Sequence, residues 1–274
     1  MHPFRYPLLI SSLLLPLTAA AGPYDPAAGE TGSLAIPYDS PLFTGWATGF
    51  TNLVRGPMNI SDPGLGNVSF GSGNNALGAS DAEDNDSLSV VSLGDGGMIT
   101  LAFANPITNG IGADFAVFEN SITDDFLELA FVEVSSDGLR FERFPSVSLT
   151  QTSLQVDSYD SLDPTDLHNL AGKHTRGYGT PFDLEDLAAL QDTDFDLERI
   201  LYVRIIDVIG KFSGAGSRMD SQGHIVNDPW PTAFDTGGFD LDAVGVINAV
   251  PEPTVALLAI SGIGALCGWR RRRQ

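Results

Sequence analysis

The sequence predicts an all-β domain, a β-sandwich or jelly roll carrying one short helix. Three observations lead there. Apolar and polar residues alternate over short segments, glycine-rich turns separate those segments, and about 230 residues lie between two terminal apolar stretches. Alternation with a period of two places side chains on opposite faces of a strand, so each strand can offer one face to a core.

Taken in order, "GGMITLAF" follows a Gly-Asp-Gly-Gly turn and alternates Met98, Thr100 and Ala102 with Ile99, Leu101 and Phe103. "ADFAVFEN" repeats the pattern, setting Phe115 and Val117 against Ala116 and Phe118. "LELAFVEVSSDGLRFERF" reads as a hairpin turning at Ser136-Asp137-Gly138, because an Asp-Gly pair suits a tight turn. "ERILYVRIIDVIG" is a long β-branched strand, and "FDLDAVGVINAV" is the closing one. The helix falls in "GTPFDLEDLAAL", with Thr180 as cap, Pro181 at the first helical position and Asp183 three residues after the cap. Leu184, Leu187 and Leu190 then share one side of a helix of about ten residues. Residues 157–179 before it are polar and contain glycine, which predicts a long loop.

Both ends carry targeting signals. "MHPFRYPLLISSLLLPLTAAAG" has His2 and Arg5, an apolar run from position 8 to 17, and small residues suited to signal peptidase. It reads as a signal peptide over residues 1–21, cut after Ala19 or Ala21. At the other end, Pro251-Glu252-Pro253 precede residues 254–269, which hold no charge. As a helix rising ~1.5 Å per residue, that stretch reaches roughly 24 Å, a little short of a ~30 Å hydrocarbon core. Arg270, Arg271, Arg272 and Arg273 follow at once, and clustered positive charge stays cytoplasmic. The prediction is a thin transmembrane helix with its C-terminus inside, leaving residues 22–250 as an exported β-sandwich and 251–274 as a tail.

The tripeptide, the apolar span and the arginine cluster together resemble the PEP-CTERM sorting signal of Gram-negative bacteria. The resemblance implies processing near Pro251, Glu252 and Pro253 by an exosortase-type membrane protease. It further implies a transient inner-membrane anchor and a final place at the cell surface or in an exopolysaccharide-containing matrix. A second resemblance concerns the domain. "FVEVSSDGLRFERF", "LYVRIIDV" and "GFDLDAVGVI" are similar, in that order, to strands of the galactose-binding-like, or discoidin-like, jelly roll. That resemblance implies a jelly roll related to carbohydrate-binding modules.

Composition narrows the function. Setting aside Arg5, Arg270–Arg273 and Glu252 leaves nine Lys plus Arg against 34 Asp plus Glu between the two signals, a net charge of −25. Such a surface repels nucleic acid and anionic lipid. It suits an environment where calcium bridges carboxylates. Cys267, the single cysteine, lies in the predicted span, so disulfides, cysteine nucleophiles and cysteine-type zinc sites are excluded from the domain.

No G-x-S-x-G, H-E-x-x-H or P-loop is present. His168, His174 and His224 sit in polar sequence and read as solvated. "DTDFDLERI" opens like a calcium loop, but Leu197 replaces the turn glycine and Val203 the bidentate glutamate, so the EF-hand pattern fails. Asp114, Asp240 and Asp242 stand within apolar strands, where an unpaired carboxylate is costly. With Glu119 and the neutral donor Asn120 they are candidate calcium ligands. Alternatively they pair with backbone amides or with Arg140, Arg143 or Arg204. Alternation puts Asp240 and Asp242 on one face and separates Asp114 from Glu119.

For glycan stacking the candidates are Trp46, Tyr178 and Trp230, each beside Gly or Pro; the alternative, favoured for Trp46, is that they plug an end of the sandwich. The expected function is a non-enzymatic surface protein engaging exopolysaccharide. The alternatives are a structural or adhesive matrix protein that contacts other proteins, and a secreted glycan hydrolase.

Overall fold

The computed structural model describes residues 21–81 and 89–251. Through the described residues run β1 (Ile36–Pro37), β2 (Gly45–Val54), β3 (Val91–Ser92), β4 (Met98–Ile107), β5 (Phe115–Glu119) and β6 (Ala130–Ser135). They are followed by β7 (Glu142–Arg143), β8 (Val147–Ser148), β9 (Leu167–His168), β10 (Tyr178–Phe182), β11 (Ile200–Asp207) and β12 (Asp240–Val246). One antiparallel sheet has the order β1-β10-β5-β12-β2-β4-β11-β6-β7, with β3 added on β12, and β8 pairs with β9 apart from it.

β2 is where the sheet turns over. Gly45 and Trp46 pair with β12, whereas residues 47–51 pair with β4. Register shifts between Ala47 and Gly49, and again between Thr51 and Val54, supply the bulges at which a strand bends. The two halves of the sheet therefore share one apolar layer. Phe115, Val117 and Val244 on one side belong to the same buried cluster as Leu101, Val132 and Val203 on the other. This is a sandwich made by folding one sheet. Each fully buried side chain of this size stabilises the fold by ~1.5–3 kcal/mol relative to exposure.

The outer faces are covered as well. Ile36, Ala116, Phe118 and Ala243 form a cluster behind β5 and β12, closed by Phe43 and Trp46. Behind β6 and β11, Leu129 and Phe131 pack against Leu162, Leu167, Leu170 and Val226. The segment expected to be a polar loop over residues 157–179 thus supplies part of a core.

The six strands anticipated from the sequence all form. β5 and β12 are buried along their whole length, because clusters lie on both of their faces. The Ser-Asp-Gly turn is present, with Gly138 at φ 77°. The return strand shrinks to Glu142–Arg143, because Asp137 Oδ1 accepts from the Leu139 and Arg140 amides and holds them in the turn.

The helix requires correction. Thr180, Pro181 and Phe182 pair with Val117, Ala116 and Phe115 as part of β10. A residue before proline is steered away from the helical region, which favours an extended Thr180. The helical segment is a 3-10 helix over Leu184–Leu190, seven residues instead of about ten. Its cap is Asp183, whose carboxylate accepts from the Glu185 amide at 2.9 Å. Shorter 3-10 turns lie at Pro63–Leu65, Gly73–Ala76, Pro164–Asp166 and Leu197–Arg199.

Among the described residues no helix is long and apolar enough to cross a membrane. The predicted span over 254–269, Glu252, Pro253, Arg270, Arg271, Arg272, Arg273 and nearly all of the predicted signal peptide lie outside the described residues.

Phe115 stacks on Phe182 at 5.4 Å, and Phe144 meets both edge-on at 5.8 and 5.0 Å. Phe115→Ala is expected to destabilise the domain by ~3–5 kcal/mol. Urea unfolding followed by tryptophan fluorescence measures it. A loss below ~1 kcal/mol would mean that this aromatic trio is not a core element.

Candidate functional site

The sequence brings an unusual number of carboxylates into the interior, and most of them fasten backbone. Asp114, fully buried, accepts from Gly110 N at 2.7 Å, Leu184 N at 2.8 Å and Asn248 Nδ2 at 2.9 Å. Asp207 accepts from Phe239 N at 2.7 Å and Gly96 N at 2.8 Å. Asp228 accepts from Leu129 N at 2.9 Å, and Glu119 from Ser121 N at 2.7 Å. Asp242 takes Ser80 Oγ at 2.5 Å.

Of the predicted calcium ligands Asp114 stands apart, whereas Asp240 and Asp242 both lie close enough to Glu119 to push its carboxyl upward, and Asn120 reaches Asp240. Asp114 is bound by amides at the far end of β5 from Glu119. Asp242 sits in a bulge of β12, between Leu241 and Ala243, where the register slips by one. Simple alternation thus does not place it beside Asp240. Among the described residues no three His, Cys, Asp or Glu side chains are arranged to hold a metal ion. The arginine alternative fails too. Arg140 pairs with Glu142 and Asp192, while Arg143 and Arg204 share Glu133.

Two buried carboxylates, Glu128 and Asp240, line the same cleft. Among the described residues Asp240 Oδ1 has no hydrogen-bond partner, although Asp240 is only 6% exposed. The cleft holds about 380 Å³ and is bounded by Phe70, Phe126, Tyr159 and Phe234, with Asn120 and Ser158 among its polar groups. Its rings form a series. Phe126 and Tyr159 lie 6.1 Å apart at 28°, and Tyr159 and Phe234 lie 5.8 Å apart at 33°. Tyr159 is 74% exposed and Phe234 43%, so this aromatic wall faces solvent.

None of the three aromatic residues singled out in the sequence belongs to this wall. Trp46 lies in β2, 4.7 Å from Phe43 and 5.7 Å from Phe118, where it plugs the outer cluster. Tyr178 opens β10 opposite Pro37. Trp230 donates its indole N–H to Asp95 at 3.1 Å, with Lys211 over its ring at 5.4 Å. The signal for Glu128 was available in "LELA", a carboxyl between Leu127 and Leu129, both fully buried. The wall had no such signal, since its rings come from polar, separated loops.

The histidine expectation holds only for His224, beside Asp220 at 3.0 Å. His174 is buried, and His168 stacks under Tyr24 at 4.8 Å. A second cleft of about 370 Å³ is lined by Asp25, His168, Lys173 and His174. There Asp25 accepts from Lys173 and lies 3.4 Å from His174.

Residues 249–273 match the PEP-CTERM protein-sorting motif. The chain carries an exosortase sorting signal. That signal indicates an exported protein, processed for the cell surface. The match covers the tail alone and leaves the family of the domain open. No curated protein matches the chain.

Burial raises Asp240 from the usual 3.8 to about 7, against the opposing pull of Ser92, Asn120 and Arg55. Glu128 is pushed well above its ordinary value by burial, then by Asp240, Glu119, Asp228 and Asp207. Burial also leads the upward shifts of Glu119, Asp207 and Asp228. A carboxyl whose folded pKa exceeds its unfolded one contributes stability in full below the unfolded pKa of about 4. That contribution is lost as pH rises through the folded pKa.

Burial lowers His168 and His174, which act in the opposite sense, but only up to the usual histidine value of 6.5. Five carboxyls outweigh two imidazoles. In the presence of chelator, the melting midpoint of the domain is expected to fall between pH 5 and pH 8, and Asp240→Asn to flatten that fall. A midpoint that climbs over the interval would show that these carboxyls are ionised in the fold.

Proposed function

We propose that the chain is an exported, non-enzymatic surface protein whose domain holds extracellular polysaccharide in the cleft between Glu128 and Asp240. The observation that carries this reading is the solvent-facing series Phe126, Tyr159 and Phe234 above two buried carboxyls. Sugar rings present apolar C–H faces that stack on aromatic planes, and their hydroxyls donate to carboxylates. The sorting signal supports it by taking the domain to where such polysaccharide lies. So does the resemblance of its strands to the galactose-binding-like jelly roll. Export through a signal peptide over residues 1–21, and a transient anchor over 254–269 in the inner membrane of a Gram-negative cell, belong to the same proposal.

A glycan hydrolase is the second reading, because two carboxyls share one cleft. Glycoside cleavage needs one protonated and one ionised carboxyl. Here burial pushes both upward, which disfavours the ionised partner such cleavage needs. An adhesive role toward matrix proteins is tested by the same binding experiment. The ectodomain is expected to retain purified exopolysaccharide of the host, and Tyr159→Ala to weaken binding ~10-fold, equivalent to ~1.4 kcal/mol. Unchanged affinity in that variant removes the cleft from the reading. Release of reducing sugar establishes the hydrolase instead.

Calcium is part of the proposal as a bridging ion. It takes six to eight oxygens, so the Glu128 and Asp240 carboxylates, with Asn120 near them, would leave positions for water or sugar hydroxyls. At pH 7.5 and ~100 times its dissociation constant, calcium would add ~2.7 kcal/mol. The melting midpoint should then rise with calcium at pH 7.5 but little at pH 5, where protons hold the carboxyls, and Glu128→Gln should abolish the rise. No calcium response at either pH means that protons alone neutralise the pair.

The sorting signal yields its own expectation. Protein recovered from the cell surface should give no peptide beyond about Pro253 by mass spectrometry. Intact protein still containing Trp269 as the main species would contradict exosortase processing.

A further inference from the structure

Gly22, near the start of the described chain, is tied to the 3-10 turn over Pro164–Asp166. Its N–H donates to Thr165 Oγ1 at 2.6 Å, and that hydroxyl donates onward to Asp163 Oδ1 at 2.6 Å. A Cβ built on Gly22 would lie 2.2 Å from Thr165 O and 2.4 Å from Asp166 Oδ1, so no side chain fits there. The next residues continue the docking. Tyr24 N donates to Thr165 O at 3.0 Å, the Tyr24 ring stacks on His168, and Asp25 accepts from the buried Lys173. Ala21, immediately before, is exposed.

We infer that Gly22 is the N-terminus of the mature protein and that its ammonium group seats in a socket formed by Thr165, Asp163 and Asp166. The inference rests on the signal-peptide reading and adds to it a cleavage position and a structural role for the new terminus. Of the two cleavage sites open in the sequence, the bond after Ala21 has alanine at both positions the peptidase reads. The bond after Ala19 has Leu17 at the outer one. Cutting after Ala21 turns a neutral amide into an amine with an unperturbed pKa of roughly 7.7–8.0, charged at neutral pH.

A charge-assisted hydrogen bond is roughly twice as strong as a neutral one. The socket is prepared for such a charge. Asp163 and Asp166 stand close enough for Asp163 to push the Asp166 carboxyl upward, secondary to burial. An ammonium between them relieves that repulsion. Removal of the signal peptide would therefore tighten the fold as well as release the chain.

The test uses the full chain exported from its host, with its N-terminus sequenced, against a form made to retain Ala20 and Ala21. The expected start is Gly22, and the natural form should melt ~2–4 °C above the extended one. Thr165→Ser should keep that difference, while Thr165→Val and Asp163→Asn should remove it. A mature terminus at another residue overturns the inference. A chain that keeps residues 1–21 overturns the signal-peptide reading together with it. A start at Gly22 with equal melting of both forms leaves the signal peptide standing and rejects the socket.

Discussion

Buried carboxylates clipped to backbone amides hold this domain together at its strand ends. Asp207 closes β11 and, with its two oxygens, takes Gly96 in the turn before β4 and Phe239 before β12. Asp114 joins the entry to β5, the start of the 3-10 helix and the exit from β12. Asp220 holds Ser148, Gln222 and His224. Each clip ties segments far apart in sequence, which is the topological work a disulfide does in many exported domains. With no cysteine outside the predicted tail, hydrogen bonds to carboxylates take that place. The cost is desolvation, visible as upward shifts led by burial at Asp114, Asp207 and Asp228.

That division of labour separates structure from function within one chemical type. A carboxylate whose acceptors are filled by amides is a fastener, and its removal leaves buried N–H groups unmatched. Glu128 and Asp240 are buried too, yet Asp240 keeps an acceptor without a donor among the described residues. Both open on a cleft whose wall is aromatic and wet. An unmet acceptor beside exposed rings is a poor way to build a core and a good way to build a recognition surface. Arg55 stands nearby, but its guanidinium is spent on the Phe70, Gly71 and Ser92 carbonyls at 2.6–2.7 Å.

The strands were legible because their period is written in single residues, as in Ile99, Leu101 and Phe103 against Met98 and Ala102. The turnover of the sheet at β2 was not, since it depends on bulges that "GWATGFTNLV" does not spell out. Pro181 misled because proline opens helices and also tolerates an extended strand; only the partner Ala116 decides between them. Acids in apolar runs correctly announced buried carboxylates at Asp114, Glu119, Asp240 and Asp242. Sequence could not say which were clipped, because the donors Leu184, Gly96 and Phe239 are tens of residues away. The aromatic wall was hidden for the same reason: Phe126, Tyr159 and Phe234 meet only after three loops converge.

The junction between domain and sorting signal is also set by backbone bonding. Ile247 and Asn248 donate to Asp114 O, and Val250 donates to Pro106 O at 2.9 Å, so pairing continues to the last residue before the motif. Pro251 has no N–H to donate, and it is exposed. Pairing along that edge therefore ends at the first proline of Pro-Glu-Pro. A protease acting beyond Val250 leaves these backbone bonds in place. Pro251 thus follows the last of these bonded residues and opens Pro-Glu-Pro.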